Sequence, residues 1–219
     1  MARGIGGGVC KFSPNGLPLS PPVYGFRGMG INGIGWGTGV TRDKVWVSSF
    51  NGKIGVMDFN GQPLGKETDF PFKEKPGGLM GVGVALNGDV WIADESKNQL
   101  LYFPGGEIKK RRIIQVKGLD GPFGIAIDNN NRVWVSNSLS NTVVRFPAQE
   151  PSKVDLFTVG GGARGVALDS KGNLWVASNV SPGFPHPKIP PGLSIMEQFK
   201  LLSGFMQEIG IRSAKYGLH

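Results

Sequence analysis

The residues of this chain that could carry chemistry are few, and their surroundings assign most of them to turns. Gly28-Met29-Gly30-Ile31-Asn32-Gly33 has the spacing of a dinucleotide-binding loop, which works where a strand leads in and a helix N-terminus leads out to face phosphate. Here no strand clearly precedes the glycines and a strand is predicted to follow, so dinucleotide binding is not expected. Asp128-Asn129-Asn130-Asn131 offers oxygen ligands, but it lacks the spacing and terminal carboxylate of a calcium loop and reads as a hairpin turn. His186 lies in a proline-rich segment and His219 is the last residue. They suggest neither a paired-histidine metal site nor a Ser-His-Asp triad. The residues therefore assign no catalytic group, no metal ligand and no cofactor.

Charge and cysteine usage narrow the classes further. The formal charge is +8, densest at Lys109-Lys110-Arg111-Arg112. That run falls in a predicted outer strand, where lysines discourage edge-to-edge association; an anionic partner surface is the other reading. No aromatic-interleaved RNA motif accompanies it. Cys10 is the single cysteine, which excludes an internal disulfide. No apolar run is long enough to span a bilayer, and residues 1–8 do not resemble a secretory signal.

The elements that must position any site follow from one repeat. Tryptophan stands between branched residues in Val45-Trp46-Val47, Val90-Trp91-Ile92, Val133-Trp134-Val135 and Leu174-Trp175-Val176, returning every 41 to 45 residues. That period belongs to four-stranded β-propeller blades. Gly35, Gly81, Gly124 and Gly165, ten or eleven residues ahead of each tryptophan, open the inner strands. Ser48, Ala93, Ser136 and Ala177 follow each tryptophan by two, small enough for a neighbouring blade to approach. Third strands are predicted at Ile54–Asp58, Gln99–Phe103 and Thr142–Phe146. Outer strands are predicted at Leu64–Phe70, Ile108–Val116 and Val154–Val159. Asn60-Gly61 predicts a two-residue hairpin with positive φ at both positions.

Asn15-Gly16-Leu17-Pro18-Leu19 echoes Asn60-Gly61-Gln62-Pro63-Leu64 at an offset of 45, so the chain is predicted to open on strands three and four of a blade. Gly165 to Asn179 supplies strands one and two of a last one. The fold is expected to be all-β, with three full blades and two half blades. The halves either close a four-bladed ring or belong to a larger propeller; the second reading is preferred, and an open propeller carries the expectation of self-association. Residues 1–180 are thus propeller repeats and 181–191 a proline-rich linker. Residues 192–219 form a helical insertion or tail: Ser194 and Glu197 make a capping box ahead of apolar residues at helical spacing from Ile195 to Ile209.

Loops before strand one and after strand two open on one face of a propeller, and there the repeats diverge. Met80, Phe123 and Arg164 precede the inner glycines. Ser49-Phe50, Asp94-Glu95, Asn137-Ser138 and Ser178-Asn179 leave the second strands. Asp94, Glu95, Asn137, Arg164 and Asn179 are the candidate ligand-binding residues for a small molecule or protein on this loop face. Asp94→Ala and Arg164→Ala are expected to weaken binding with little cost in stability.

Gly124-Ile125-Ala126-Ile127-Asp128, Val133-Trp134-Val135-Ser136-Asn137 and Asn141-Thr142-Val143-Val144-Arg145-Phe146 resemble NHL-type repeats of bacterial proteins similar to streptogramin B (virginiamycin B) lyase. The likeness covers Val9 to Asn179. It implies a propeller, a periplasmic or secreted setting and, in the lyases, histidines and a glutamate around magnesium. No blade of this chain holds a histidine, so those catalytic residues do not carry over. Nor do Met80, Phe123 and Arg164 match the carboxylate and amide ligands of the similar gluconolactonase-like (SMP-30) propellers. Three functions follow: a noncatalytic module binding on its loop face; a lyase or lactonase using magnesium or calcium through residues on missing blades; or a structural domain of a larger secreted or cell-surface protein.

Overall fold

In a computed structural model, residues 8–22, 24–27, 35–70, 72, 75–159 and 162–178 are described. They lie within a compact unit spanning Met1–Asn179; a second unit, Val180–His219, holds the linker and helix expectations and lies outside the described residues. The strands are β1 (Gly35–Val40), β2 (Val45–Ser49), β3 (Ile54–Met57), β4 (Leu79–Val84), β5 (Val90–Asp94), β6 (Gln99–Phe103), β7 (Arg112–Ile114), β8 (Pro122–Ile127), β9 (Arg132–Asn137), β10 (Thr142–Pro147), β11 (Asp155–Thr158), β12 (Ala163–Leu168) and β13 (Leu174–Ser178). They form four antiparallel sheets in chain order: β1-β2-β3, β4-β5-β6-β7, β8-β9-β10-β11 and β12-β13. Each tryptophan sits in the second strand of its sheet, as the period requires.

The blades are joined through that tryptophan. Trp46 lies 4.8 Å, centroid to centroid, from Phe103 of the next blade, and Trp91 lies 5.6 Å from Phe146 of the one after. Both indoles are fully buried among Ile, Val and Leu side chains from the two sheets they separate, so apolar burial between blades is the principal cohesive term. Where the small residue two past the tryptophan is serine, it does more than make room. The Ser48 hydroxyl donates to the Met80 carbonyl and Ser136 donates to the Arg164 carbonyl at 2.6 Å, each reaching the following blade. The inner glycines complete the fit: a Cβ at Gly37 would stand 2.5 Å from the Met80 carbonyl oxygen, and one at Gly81 2.5 Å from that of Phe123.

Gly37, not Gly35, is therefore the first blade's counterpart of Gly81, Gly124 and Gly165. The register agrees, pairing Thr38 with Val47 as Val82 pairs with Ile92. Val40 pairs with Val45, whereas Val84 pairs with Val90, Ile127 with Val133 and Leu168 with Leu174, so the first blade closes its turn with one residue fewer, which shifts the sequence alignment.

Two outer strands differ from expectation. After Asn60-Gly61, only the bridge from Met57 to Pro63 and the Leu64 N–H donated to the Val56 carbonyl at 2.9 Å continue the sheet. Pro63 has no N–H to extend a ladder. The Lys66 N–H then turns to the Asp69 carboxylate at 2.6 Å, beside a short 3-10 turn at Glu67–Asp69. In the second blade, Gly105 and Gly106 take positive φ, and Ile108–Lys110 forms another 3-10 turn before β7. Lys109, Lys110 and Arg111 thus precede the outer strand and do not line it.

The Asn60-Gly61 hairpin is also a different turn. Only Gly61 has positive φ, and its N–H reaches back to the Asp58 carbonyl at 3.0 Å. The Asp58 carboxylate accepts the N–H groups of Asn60 and Gln62, which favours this longer loop. The same geometry recurs 45 residues earlier, where Gly16 reaches the Ser13 carbonyl and Phe12 bridges Pro18 as Met57 bridges Pro63. Through isolated bridges, the opening segment accordingly repeats the turn and pairing between the third and fourth strand positions of a blade.

Candidate functional site

Three side chains from different blades meet at the positions just ahead of the inner glycines. Trp36 precedes Gly37 and is 49% exposed; its ring meets that of Phe123 edge-on, at 5.7 Å and 74°. The Arg164 guanidinium lies 5.2 Å above the same phenylalanine ring, and Arg164 is exposed. Met80, the fourth residue of this series, is buried between the second and third blades with Phe123 packed against its cluster. Among the described residues no ion pair involves Arg164, so the outward side of its guanidinium faces solvent with aromatic surface beneath it. Trp36 escaped the sequence reading because the alignment began at Gly35. A residue directly before an inner glycine, as in Met80-Gly81 and Phe123-Gly124, was the signal for it.

Beside this cluster lie the strand-two exits. The Ser138 hydroxyl donates to the Glu95 carboxylate at 2.8 Å, linking the exits of the second and third blades. Both residues are half-buried. The Gly121 N–H donates to the Asn98 side-chain oxygen at 2.7 Å and draws the same blades together.

Asp94 and Asn137 play another part. Both are completely buried. Asp94 Oδ1 accepts the Gly77 N–H at 3.0 Å and Oδ2 the Gln99 amide at 2.8 Å. Asn137 Oδ1 accepts the Asp120 N–H at 3.0 Å, while its Nδ2 donates to the Gly118 carbonyl and to Thr142, each at 2.8 Å. Each residue thus clips the loop before strand one to the end of strand two and the start of strand three. Burial pushes the Asp94 carboxyl above its ordinary range, against the Gln99 and Gly77 hydrogen bonds. The expectation that Asp94→Ala costs little stability is corrected: truncation leaves the Gly77 N–H and the Gln99 amide without their acceptor in a buried site.

Of the five candidate residues, Glu95 and Arg164 reach the surface of the loop face, Asp94 and Asn137 support it from within, and Asn179 lies outside the described residues. None of the four described candidates bonds another. Among the described residues no three His, Cys, Asp or Glu side chains converge on a metal-sized site. No helix there is long and apolar enough to cross a membrane. Asp128 is a turn clasp: its carboxylate accepts the Asn130 and Arg132 N–H groups at 3.0 Å, Arg132 Nε at 2.7 Å and Trp134 Nε1 at 3.0 Å. Burial opposes its charge, but these donors outweigh burial and lower its pKa.

No family model matches the sequence, and no curated protein matches it. Solved structures do. The chain is similar to a catalytically inactive virginiamycin B lyase from Staphylococcus aureus with quinupristin at 18% identity and a TM-score of 0.57, over 69% of this chain and 50% of that one. It is similar to a gluconolactonase from Xanthomonas campestris at 17% identity and a TM-score of 0.56, over 80% of this chain and 63% of that one. The WD40 propeller domain of Doa1 matches at 14% identity and a TM-score of 0.54, over 66% and 47%. The chain spans about half the length of the lyase structure. With four sheets in series around their inner strands and these structural neighbours, the chain has the β-propeller fold.

Proposed function

We propose that this chain is a noncatalytic propeller module that binds a ligand on its loop face. The observation that supports the reading is the exposed Arg164 guanidinium lying 5.2 Å over the Phe123 ring beside Trp36. A guanidinium lying over a ring is held there by cation–π attraction and keeps N–H groups for a carboxylate or phosphate, and the two rings offer an apolar wall. The chemistry that fits is an anion carrying a flat apolar body. Glu95, Arg164 and Asn179 serve as contact residues in this reading; Asp94 and Asn137 hold the loops that present them.

Calorimetric titration with benzoate and indole-3-carboxylate, against benzyl alcohol as the uncharged control, tests it. Arg164→Ala should lose about 1–3 kcal/mol of binding, the scale of a charged hydrogen bond, with an unchanged unfolding midpoint. Lys109→Ala and Lys110→Ala should bind as the parent does. Equal losses from the lysine variants would move the site to the basic turn.

A metal-dependent lyase or lactonase is the second reading, with magnesium or calcium bound by residues on further blades. Its support is the fold shared with a virginiamycin B lyase and a gluconolactonase, half or more of whose length this chain spans. Turnover of a lactone or streptogramin by this chain alone would displace the noncatalytic reading.

A further inference from the structure

The turn joining the first two strands of each sheet opens on a position whose chemistry changes along the chain. Thr41, Ala85, Asp128 and Asp169 stand there, each donating its backbone N–H to the carbonyl of the residue that closes the turn. In the last two sheets the carboxylate does two jobs. One oxygen accepts the closing N–H, from Arg132 at 3.0 Å and from Asn173 at 2.9 Å; the other accepts the indole N–H, from Trp134 at 3.0 Å and from Trp175 at 3.1 Å. Thr41 has one side-chain oxygen. It accepts the Lys44 N–H at 3.0 Å and donates within the same turn, to the Asp43 carboxylate and the Lys44 carbonyl. Trp46 Nε1 is left buried with no acceptor.

Beside Thr41 opens a cleft of about 550 Å³, between residues 40–43 of the first blade and 84–88 of the second, with Gly105 also in its wall. Trp46 lies just behind that wall. A Cβ built on Gly106 would stand 3.6 Å from Thr41 Cγ2 and 3.9 Å from Trp46 Cζ2, the ring carbon on the nitrogen side of the indole. Ala85 leaves Trp91 Nε1 equally unpaired, but Trp91 turns toward Phe146 of the third blade, away from this cleft. Charge in the cleft is one-sided. Asp43 is paired with Lys44, whereas among the described residues no hydrogen bond or ion pair involves the exposed Arg42 side chain. The apolar part of the wall includes Val40, 57% exposed, and Leu86, 90% exposed.

We propose that this cleft binds a small aliphatic carboxylate, whose charged end takes the part that Asp128 and Asp169 play in the later sheets. One oxygen accepts N–H groups of the Arg42 guanidinium, a charge-assisted contact. The other accepts the Trp46 N–H and removes the cost of a buried donor without a partner. The hydrocarbon body lies on Val40 and Leu86 and covers their exposed surface. Trp46 Nε1 has no solvent contact, so entry displaces the Thr41 side chain. The site stands at the opposite end of the strands from Arg164 and is independent of the loop-face reading.

Isovalerate is the probe, and isovaleramide, with the same body and no charge, is its control. In the isotope-labelled full chain, NMR should show isovalerate shifting the Trp46 indole N–H resonance saturably. The amide should not shift it, and the Trp134 resonance, already held by Asp128, should stay in place. Arg42→Ala should bind about tenfold more weakly, the scale of a lost charged hydrogen bond. Thr41→Asp supplies the carboxylate from within, and should raise the unfolding midpoint while abolishing the isovalerate response. Arg164→Ala should leave that response intact. A Trp46 resonance fixed at every isovalerate concentration, an equal response to the amide, parent affinity in Thr41→Asp, or loss of the response in Arg164→Ala would each overturn the proposal.

Discussion

Asp94 and Asn137 stand three residues past successive tryptophans and perform the same loop-clipping task with different chemistry. The amide serves without charge, whereas the buried carboxyl of Asp94 has its pKa raised by desolvation. A group whose pKa is higher folded than unfolded contributes stability that is complete below the unfolded value and is lost as pH rises through the folded one. The parent should accordingly lose stability relative to Asp94→Asn as pH climbs from about 4, the ordinary carboxylate range. Denaturant titrations of both proteins across pH check this; parallel curves would refute it. Asp128 makes the opposite case, since its ionised form is the one its four donors hold. Asp128→Ala should cost about 1–3 kcal/mol by leaving the Trp134 indole and turn N–H groups unpaired, measurable by chemical unfolding. The first two blades have no such clasp, and Trp46 and Trp91 Nε1 are buried without an acceptor.

At the scale of elements, Trp46 and Trp91 fill the first two blade interfaces, and inner glycines and small residues let the sheets approach. Ser136 accepts the Gly124 N–H at 2.8 Å and donates to the Arg164 carbonyl at 2.6 Å, tying β9 to β8 and to β12 of the next blade. Ser136→Ala strands both partners and should destabilise by about 1–2 kcal/mol. The loss should be concentrated in the last sheet, so amide exchange in β12 should quicken while β5 and β6 keep their protection. Equal acceleration in every strand would show that Ser136 acts on the whole fold. The period, the strand centres and the need for a small residue at Ser136 were legible in the sequence because they repeat. The outer strands were less so, since Pro63, Gly105 and Gly106 divert the chain into turns whose geometry depends on the capping carboxylates.

Across the whole molecule, burial falls toward the last sheet. β5 is buried at every position, whereas β12 and β13 expose much of their length. Local opening free energy follows buried apolar contact, so native-state exchange should be slowest in β5 and β6 and fastest in β12 and β13. Uniform protection across all four sheets would show that buried apolar contact does not set local opening in this fold.

The tryptophan period by itself determined the blade architecture, the strand order and the half blades at either side, because each repeat buries the same face against the next and must keep the same residue types to do so. It also placed Arg164 and Glu95 on the loop face. Only the tertiary structure decided that Asp94 and Asn137 turn inward: the same polar residue at a strand end can meet solvent or a neighbouring loop, and the loop's path is set by distant contacts. Trp36 joined Phe123 and Arg164 for a related reason. Phe123 and Arg164 lie on adjacent blades while Trp36 reaches across from the first blade to the third, and a turn one residue shorter hid the equivalence of the three positions from a reading of spacing alone.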